Sequence, residues 1–176
     1  EILRERPDLS LSAETGGKNA TIVTATADRD QAIAHVVVSA FGNSGQKCSA
    51  TSLLLLEREV YEDESFRRRL ADAATSFRTG SAWDFRSRMG PLVRPPEGVL
   101  AEALTRLEPG EFWDPAPRRL GDNVQLWTPG IRWGVRPGSV AHRTEFFGPV
   151  LAVMCARDLE EAVALANQTG YGLTAG

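Results

Sequence analysis

The sequence predicts an α/β fold: a mainly parallel sheet flanked by helices. Two patterns carry this expectation. Short apolar runs alternate with amphipathic helical runs along the chain, the order that builds βαβ units. Residues 50–56 read as an apolar run, in which Ala50, Thr51 and Ser52 lead into four consecutive leucines, Leu53 to Leu56. A strand buried on both faces reads as such an unbroken run, and a buried helix turn looks the same. No internal repeat or low-complexity segment interrupts the alternation.

Taken in order, residues 9–14 and 20–24 read as short buried strands broken by Gly16-Gly17. Glu14 falls at the end of the first, where α/β folds gather functional groups, although a carboxylate at a strand end is more often only solvated. Asp28 opens a helix, with Gln31 at capping-box spacing. Ile33, Val36, Val37, Ala40 and Phe41 form its apolar stripe. At 1.5 Å per residue the helix over 28–41 is about 20 Å long. Glycines at 42 and 45 then allow a sharp turn before the leucine run.

Residues 64–77 form an amphipathic helix, with Phe66, Leu70, Ala73, Ala74 and Phe77 inward and Arg67, Arg68, Arg69 and Asp72 mostly in water. The arginine triplet reads as a solvated face. Residues 80–96 are a long connection containing Gly90-Pro91. A helix over 98–107 is stopped by Pro109-Gly110. Residues 111–140 are the least regular part, with Trp113, Trp127 and Trp133 expected to pack against the core. Residues 150–155 read as a strand with Cys155 in the core. Asp158 and Glu161 repeat the capping-box spacing, and Leu159, Ala162, Val163 and Ala166 are expected to face the sheet.

The 176 residues carry a net charge of -3, which gives no reason to expect nucleic acid as a partner. Two cysteines make no disulfide framework. No apolar run approaches the ~20 residues of a membrane-spanning helix, and no stretch resembles a signal peptide. A reducing cytoplasm is the expected setting. The chain begins at Glu1 and closes on Tyr171-Gly172-Leu173-Thr174-Ala175-Gly176, and so reads as an excised piece.

The stretch with chemical character is Phe41-Gly42-Asn43-Ser44-Gly45-Gln46-Lys47-Cys48-Ser49-Ala50. A thiol on such a turn can be presented to a substrate, whereas most lone cysteines are small buried hydrophobes. The preceding helix points its partly negative end at the turn and would not lower the thiol pKa. Lys47, backbone N–H groups, a base or a bound cation would have to do so. Upstream lies Glu14-Thr15-Gly16-Gly17-Lys18-Asn19, and downstream Glu145-Phe146-Phe147-Gly148-Pro149-Val150. Glu14 precedes Cys48 by 34 residues and Glu145 follows it by 97.

In this order and at these spacings, the three segments resemble the aldehyde dehydrogenase superfamily, and Met89-Gly90-Pro91-Leu92 matches a fourth family segment. The resemblance implies the following roles. Cys48 is the nucleophile and its N–H an oxyanion donor. Glu14 is the general base. Glu145 binds the nicotinamide-ribose hydroxyls of NAD, and Phe147 packs near the nicotinamide. Ser49, by residue statistics a turn or capping serine, corresponds to a contact for the substrate carboxylate. The forms Glu-Thr-Gly-Gly-Lys-Asn and Gln-Lys-Cys-Ser-Ala look like the Δ1-pyrroline-5-carboxylate dehydrogenase branch. They look especially like the module of bacterial proline utilization A proteins, which oxidises L-glutamate γ-semialdehyde to glutamate.

On that resemblance residues 1–176 are a fragment of the catalytic domain. Most of the NAD-binding domain and the C-terminal anchor and oligomerisation segments would lie elsewhere in a homo-oligomeric parent, and the fragment alone would be inactive. Three rivals compete: a dehydrogenase for another semialdehyde, a non-catalytic structural or interaction fragment, and a thiol hydrolase or acyltransferase. The last needs a histidine base near Cys48, and neither His35 nor His142 is well placed in the pattern.

Overall fold

Residues 53–56 are a strand, and the fold is built on both of its faces. The computed structural model describes residues 2–176. The chain runs α1 (Ile2–Glu5), β1 (Asn19–Val23), α2 (Arg29–Phe41), a 3₁₀ turn (Gly42–Gly45), β2 (Thr51–Glu57), α3 (Arg58–Tyr61), α4 (Glu64–Ser76) and α5 (Gly98–Thr105). It continues with β3 (Phe112–Trp113), β4 (Gly130–Trp133), α6 (Val140–Arg143), β5 (Val150–Ala156) and α7 (Leu159–Asn167). The strands make one sheet in the order β1-β2-β5-β4-β3. Every pairing is parallel except that of β3 with β4. The expected α/β class is the fold observed.

Side chains alternate across a strand, so the four leucines of β2 divide between two cores. Leu54 and Leu56 pack with the stripe of α2 and with Phe66, Leu70 and Ala74 of α4. Leu53 and Leu55 pack on the opposite face with Ala103 and Leu104 of α5, Ala141 of α6 and Ala162 and Leu165 of α7. All four are 0% exposed. Burying each contributes about 1.5–3 kcal/mol, which makes β2 the axis of the domain.

Aspartates start the three main amphipathic helices. Asp28 accepts from the N–H groups of Asp30 and Gln31 at 2.9 and 3.0 Å. Asp63 does the same for Ser65 and Phe66, and Asp158 accepts from Glu161 N–H. Each cap satisfies N–H groups that the first turn leaves without partners, worth about 1 kcal/mol.

Three local expectations fail. Residues 9–14 are exposed and form no strand; no neighbouring strand pairs with them among the described residues, and an unpaired strand has no ladder to hold it. Cys155 is exposed rather than in the core. It lies near the end of β5, opposite Leu56, past the cover that α2 and α4 give to Leu151 and Val153. On α7 the buried residues are Ala162 and Leu165, while Leu159 and Val163 are 49% and 44% exposed. The helix is rotated from the face expected, because small alanines let it sit close on β1, β2 and β5.

Candidate active site

β1, β2 and β5 are adjacent and parallel. The chain entering each of them therefore arrives at the same edge of the sheet. Those entering segments are residues 14–18, 43–50 and 145–149, the three that carry the motifs. The site thus forms at the amino ends of the strands. The sequence placed Glu14 at the carboxyl end of a strand; with 9–14 unpaired, that edge does not exist.

Helix α2 feeds the cysteine turn through three left-handed residues, Asn43, Ser44 and Gly45, with φ of 52°, 58° and 68°. An L-residue pays about 1–2 kcal/mol for that conformation, so other contacts must hold it. Ser44 Oγ donates to the Gly90 carbonyl at 2.6 Å. Val93 N–H donates to Gln46 Oε1 at 2.9 Å. At Gly45 there is no room for a side chain, since a Cβ would lie 2.2 Å from the Gly148 carbonyl oxygen. The Met-Gly-Pro-Leu segment and the Glu-Phe-Phe-Gly-Pro segment thereby both brace the turn.

Lys47 to Ala50 then form a tight turn, closed by Ala50 N–H on the Lys47 carbonyl at 3.0 Å. Cys48 and Ser49 occupy its outer corner, and both are exposed. Cys48 is a free thiol, and its backbone N–H makes no hydrogen bond among the described residues. Asn19 fixes the turn from beneath. Its Nδ2 donates to the Cys48 carbonyl at 2.7 Å and to the Ala50 carbonyl at 2.9 Å.

Glu145 is held by the same upstream segment. Gly17 N–H donates to Glu145 Oε1 at 3.0 Å. A Cβ on Gly16 would fall 2.0 Å from Glu145 Oε2, so only glycine lets the carboxylate lie there. Phe146 turns inward and is 3% exposed. Phe147 turns outward, 42% exposed, with a left-handed φ of 52°. Lys18 is buried, and its Nζ lies 4.6 Å from the centroid of the Phe146 ring. Burial, with Arg132 adding like charge and Glu145 opposing, brings its pKa down to about 7.

This arrangement fits a nicotinamide dinucleotide. Oε2 of Glu145 makes no hydrogen bond among the described residues and keeps its acceptor capacity for a ribose diol. Phe147 offers an outward ring to a flat heterocycle. Neither needs a metal, and no group of His, Cys, Asp and Glu able to hold one occurs among the described residues. No helix there is long and apolar enough to cross a membrane.

The remaining expected site residues are less constrained. Ser49 lines a shallow hollow with Lys47 and with His35, Val38 and Ser39 of α2. Glu14 is exposed and makes no hydrogen bond or ion pair among the described residues, so no contact fixes its carboxylate relative to Cys48. The Cys–His pair of a thiol hydrolase is not formed there either. His142 is fully buried, accepting from Gly138 N–H at Nδ1 (2.9 Å) and bonding the Leu165 carbonyl through Nε2 (2.9 Å). His35 makes no hydrogen bond to Cys48. Sequence reasoning missed Lys18, Asn19, Ser44 and Gln46. The available signal was the polarity of Lys18-Asn19 at the threshold of a buried strand.

A family model described as the aldehyde dehydrogenase family matches residues 6–176. Proline utilization A from Corynebacterium freiburgense superimposes with a TM-score of 0.91 at 46% identity, over 99% of this chain and 18% of that one. The 1-pyrroline-5-carboxylate dehydrogenase from Thermus with bound NAD gives 0.79 at 38% identity, over 93% of this chain and 31% of that one. N-succinylglutamate 5-semialdehyde dehydrogenase of Chromobacterium violaceum is 36% identical over 97% of this chain and 35% of its own length. The chain thus spans about a third of that curated relative. Extent of match, fold and the gathering of the three motifs agree: the chain belongs to the aldehyde dehydrogenase family.

Proposed function

We propose that this chain is the cysteine-bearing part of the catalytic domain of an NAD-dependent aldehyde dehydrogenase, whose substrate is L-glutamate γ-semialdehyde, oxidised to L-glutamate in proline catabolism. One observation carries the reading. Gly17 and Asn19, two residues apart, bond Glu145 and the Cys48 carbonyl, so a single segment sets the distance between nucleophile and cofactor contact. The rest of the cofactor domain and the substrate anchor belong to other parts of a homo-oligomeric protein, and the isolated chain turns over nothing. Two free cysteines, one of them a working thiol, suit a reducing cytoplasm.

The chemistry follows from the turn. Cys48 Sγ, as thiolate, attacks the aldehyde carbon. An S–C bond forms and the carbonyl oxygen takes the charge, next to the unengaged Cys48 N–H. A bound NAD would supply the hydride acceptor that turns this adduct into a thioester. Glu14 takes a proton from water, whose oxygen attacks the thioester and expels Sγ. Such general-base help is worth about 10²–10⁴-fold. Glu145 accepts from the nicotinamide-ribose hydroxyls, Phe147 packs at the ring, and the Ser49 hydroxyl donates to the substrate carboxylate.

The choice of aldehyde leans on the 46% identity to proline utilization A. The similarity to N-succinylglutamate 5-semialdehyde dehydrogenase favours a second reading, a longer semialdehyde of the same class. NADH formation by the full-length protein with each semialdehyde, with NADP⁺ in parallel, separates the two. Loss of turnover in Cys48→Ala supports the nucleophile. Turnover that survives Cys48→Ala defeats the reading.

A further inference from the structure

An ammonium group buried without a hydrogen-bond acceptor is costly. Lys18 Nζ is such a group: it is shielded from solvent and makes no hydrogen bond among the described residues. Its position has a pattern. Gly17 holds Glu145 through its N–H, and the next residue, Lys18, sits over the ring of the next residue, Phe146. Two adjacent residues thus grip two adjacent residues. The step that follows is the left-handed Phe147, a conformation an aromatic residue adopts only when its surroundings enforce it.

We propose that Lys18 is a positioning residue of the cofactor site: its ammonium, seated on Phe146 beside Glu145, holds the Glu145–Phe147 step so that the carboxylate and the outward ring meet the nicotinamide riboside. This rests on the cofactor role of Glu145 and Phe147 and adds a residue that touches no ligand. The charges facing Lys18 are Arg132 of β4, Glu145 and, from α6, His142. Arg132 is itself paired with buried Glu111, which leaves Glu145 as the carboxylate that favours the ammonium.

A structural lysine and a positioning lysine differ in what Lys18→Met does. Methionine replaces an unpaired buried charge with a flexible apolar chain of similar length. In the full-length protein the apo melting temperature is expected to hold or rise. The Kd for NADH, read by fluorescence, is expected to rise about tenfold, as loss of a desolvated cation–π contact implies. Glu145→Gln weakens binding too, and the double variant is expected to fall short of the sum of the two. The wild-type Kd is expected to weaken from about pH 6 to about pH 9, as the ammonium is lost, and to be flat in Lys18→Met.

An unchanged Kd in Lys18→Met, or additive effects with Glu145→Gln, overturns the proposal. Should Lys18→Met fail to fold, Lys18→Gln and the wild-type pH series still decide it, since a pH-independent wild-type Kd is equally fatal. Wild-type protein that binds neither NADH nor NADPH removes the cofactor reading and this proposal together. Normal wild-type binding with an indifferent Lys18 removes this proposal alone.

Discussion

Asn19 and Cys48 are joined by a 2.7 Å hydrogen bond from a buried side-chain amide to the carbonyl of the candidate nucleophile. The same amide bonds Ala50 O, and its own carbonyl oxygen accepts from Thr174 N–H at 3.2 Å. One side chain therefore ties the thiol turn, strand β1 and the segment after α7 together.

Asn19→Ala should leave two carbonyls without this donor. The expected loss is about 1–3 kcal/mol of stability, with kcat down about 10–100-fold because the thiol is no longer held at one position. Denaturant melts and steady-state kinetics on the full-length protein check this. An Asn19→Ala variant with wild-type kcat would mean that the turn holds itself.

Two glycines in the same turn should behave oppositely. A Cβ at Gly45 would strike the Gly148 carbonyl, and its φ is 68°. At Gly42 nothing lies within 4 Å and φ is -54°. Gly45→Ala is expected to lower the melting temperature and abolish turnover. Gly42→Ala is expected to stay within about 0.5 kcal/mol of wild type. Equal responses in the two would show that the packing against Gly148 is not what demands glycine.

Arg132 and Glu111 form an ion pair with side chains only 5% and 1% exposed. Glu111→Ala strands a buried guanidinium, at a cost of about 3–5 kcal/mol. Glu111→Leu together with Arg132→Met should avoid most of the loss, since an apolar pair of similar volume avoids the desolvation of both ions. Urea midpoints of the single and double variants test this; a double variant as unstable as Glu111→Ala counts against it.

His142 gives the fold an acid limit. Burial holds its pKa below the ordinary value of 6.5, with Arg143 and Lys18 adding like-charge repulsion. Below 6.5 the unfolded chain binds a proton that the folded chain resists, so stability falls as pH drops through the folded value. Above 6.5 both states are neutral and this contribution is fully present. His142→Gln is expected to flatten that part of the profile in a pH series of urea melts. A variant as acid-sensitive as wild type would place the effect elsewhere.

The sequence alone determined the fold class, the main helices with their aspartate caps, the central strand and the three motifs. These are local properties: periodicity follows from helix and strand geometry, caps from orphan N–H groups, and a motif from its own residues. It missed what depends on neighbours. Residues 9–14 have a strand's alternation but no pairing strand among the described residues. Leu159 and Val163 fit an apolar face, yet the close approach of Ala162 sets the rotation of α7. Cys155 alternates toward a core whose last member on β5 is Val153, two residues before it. Above all, tertiary structure decided that the site lies at the amino edge of the sheet. Parallel neighbours β1, β2 and β5 bring their entering loops together, so Gly17, Asn19, Cys48 and Glu145, up to 128 residues apart, meet through hydrogen bonds. Buried Lys18 lies beside them with its ammonium over the Phe146 ring, a contact that no spacing along the sequence encodes.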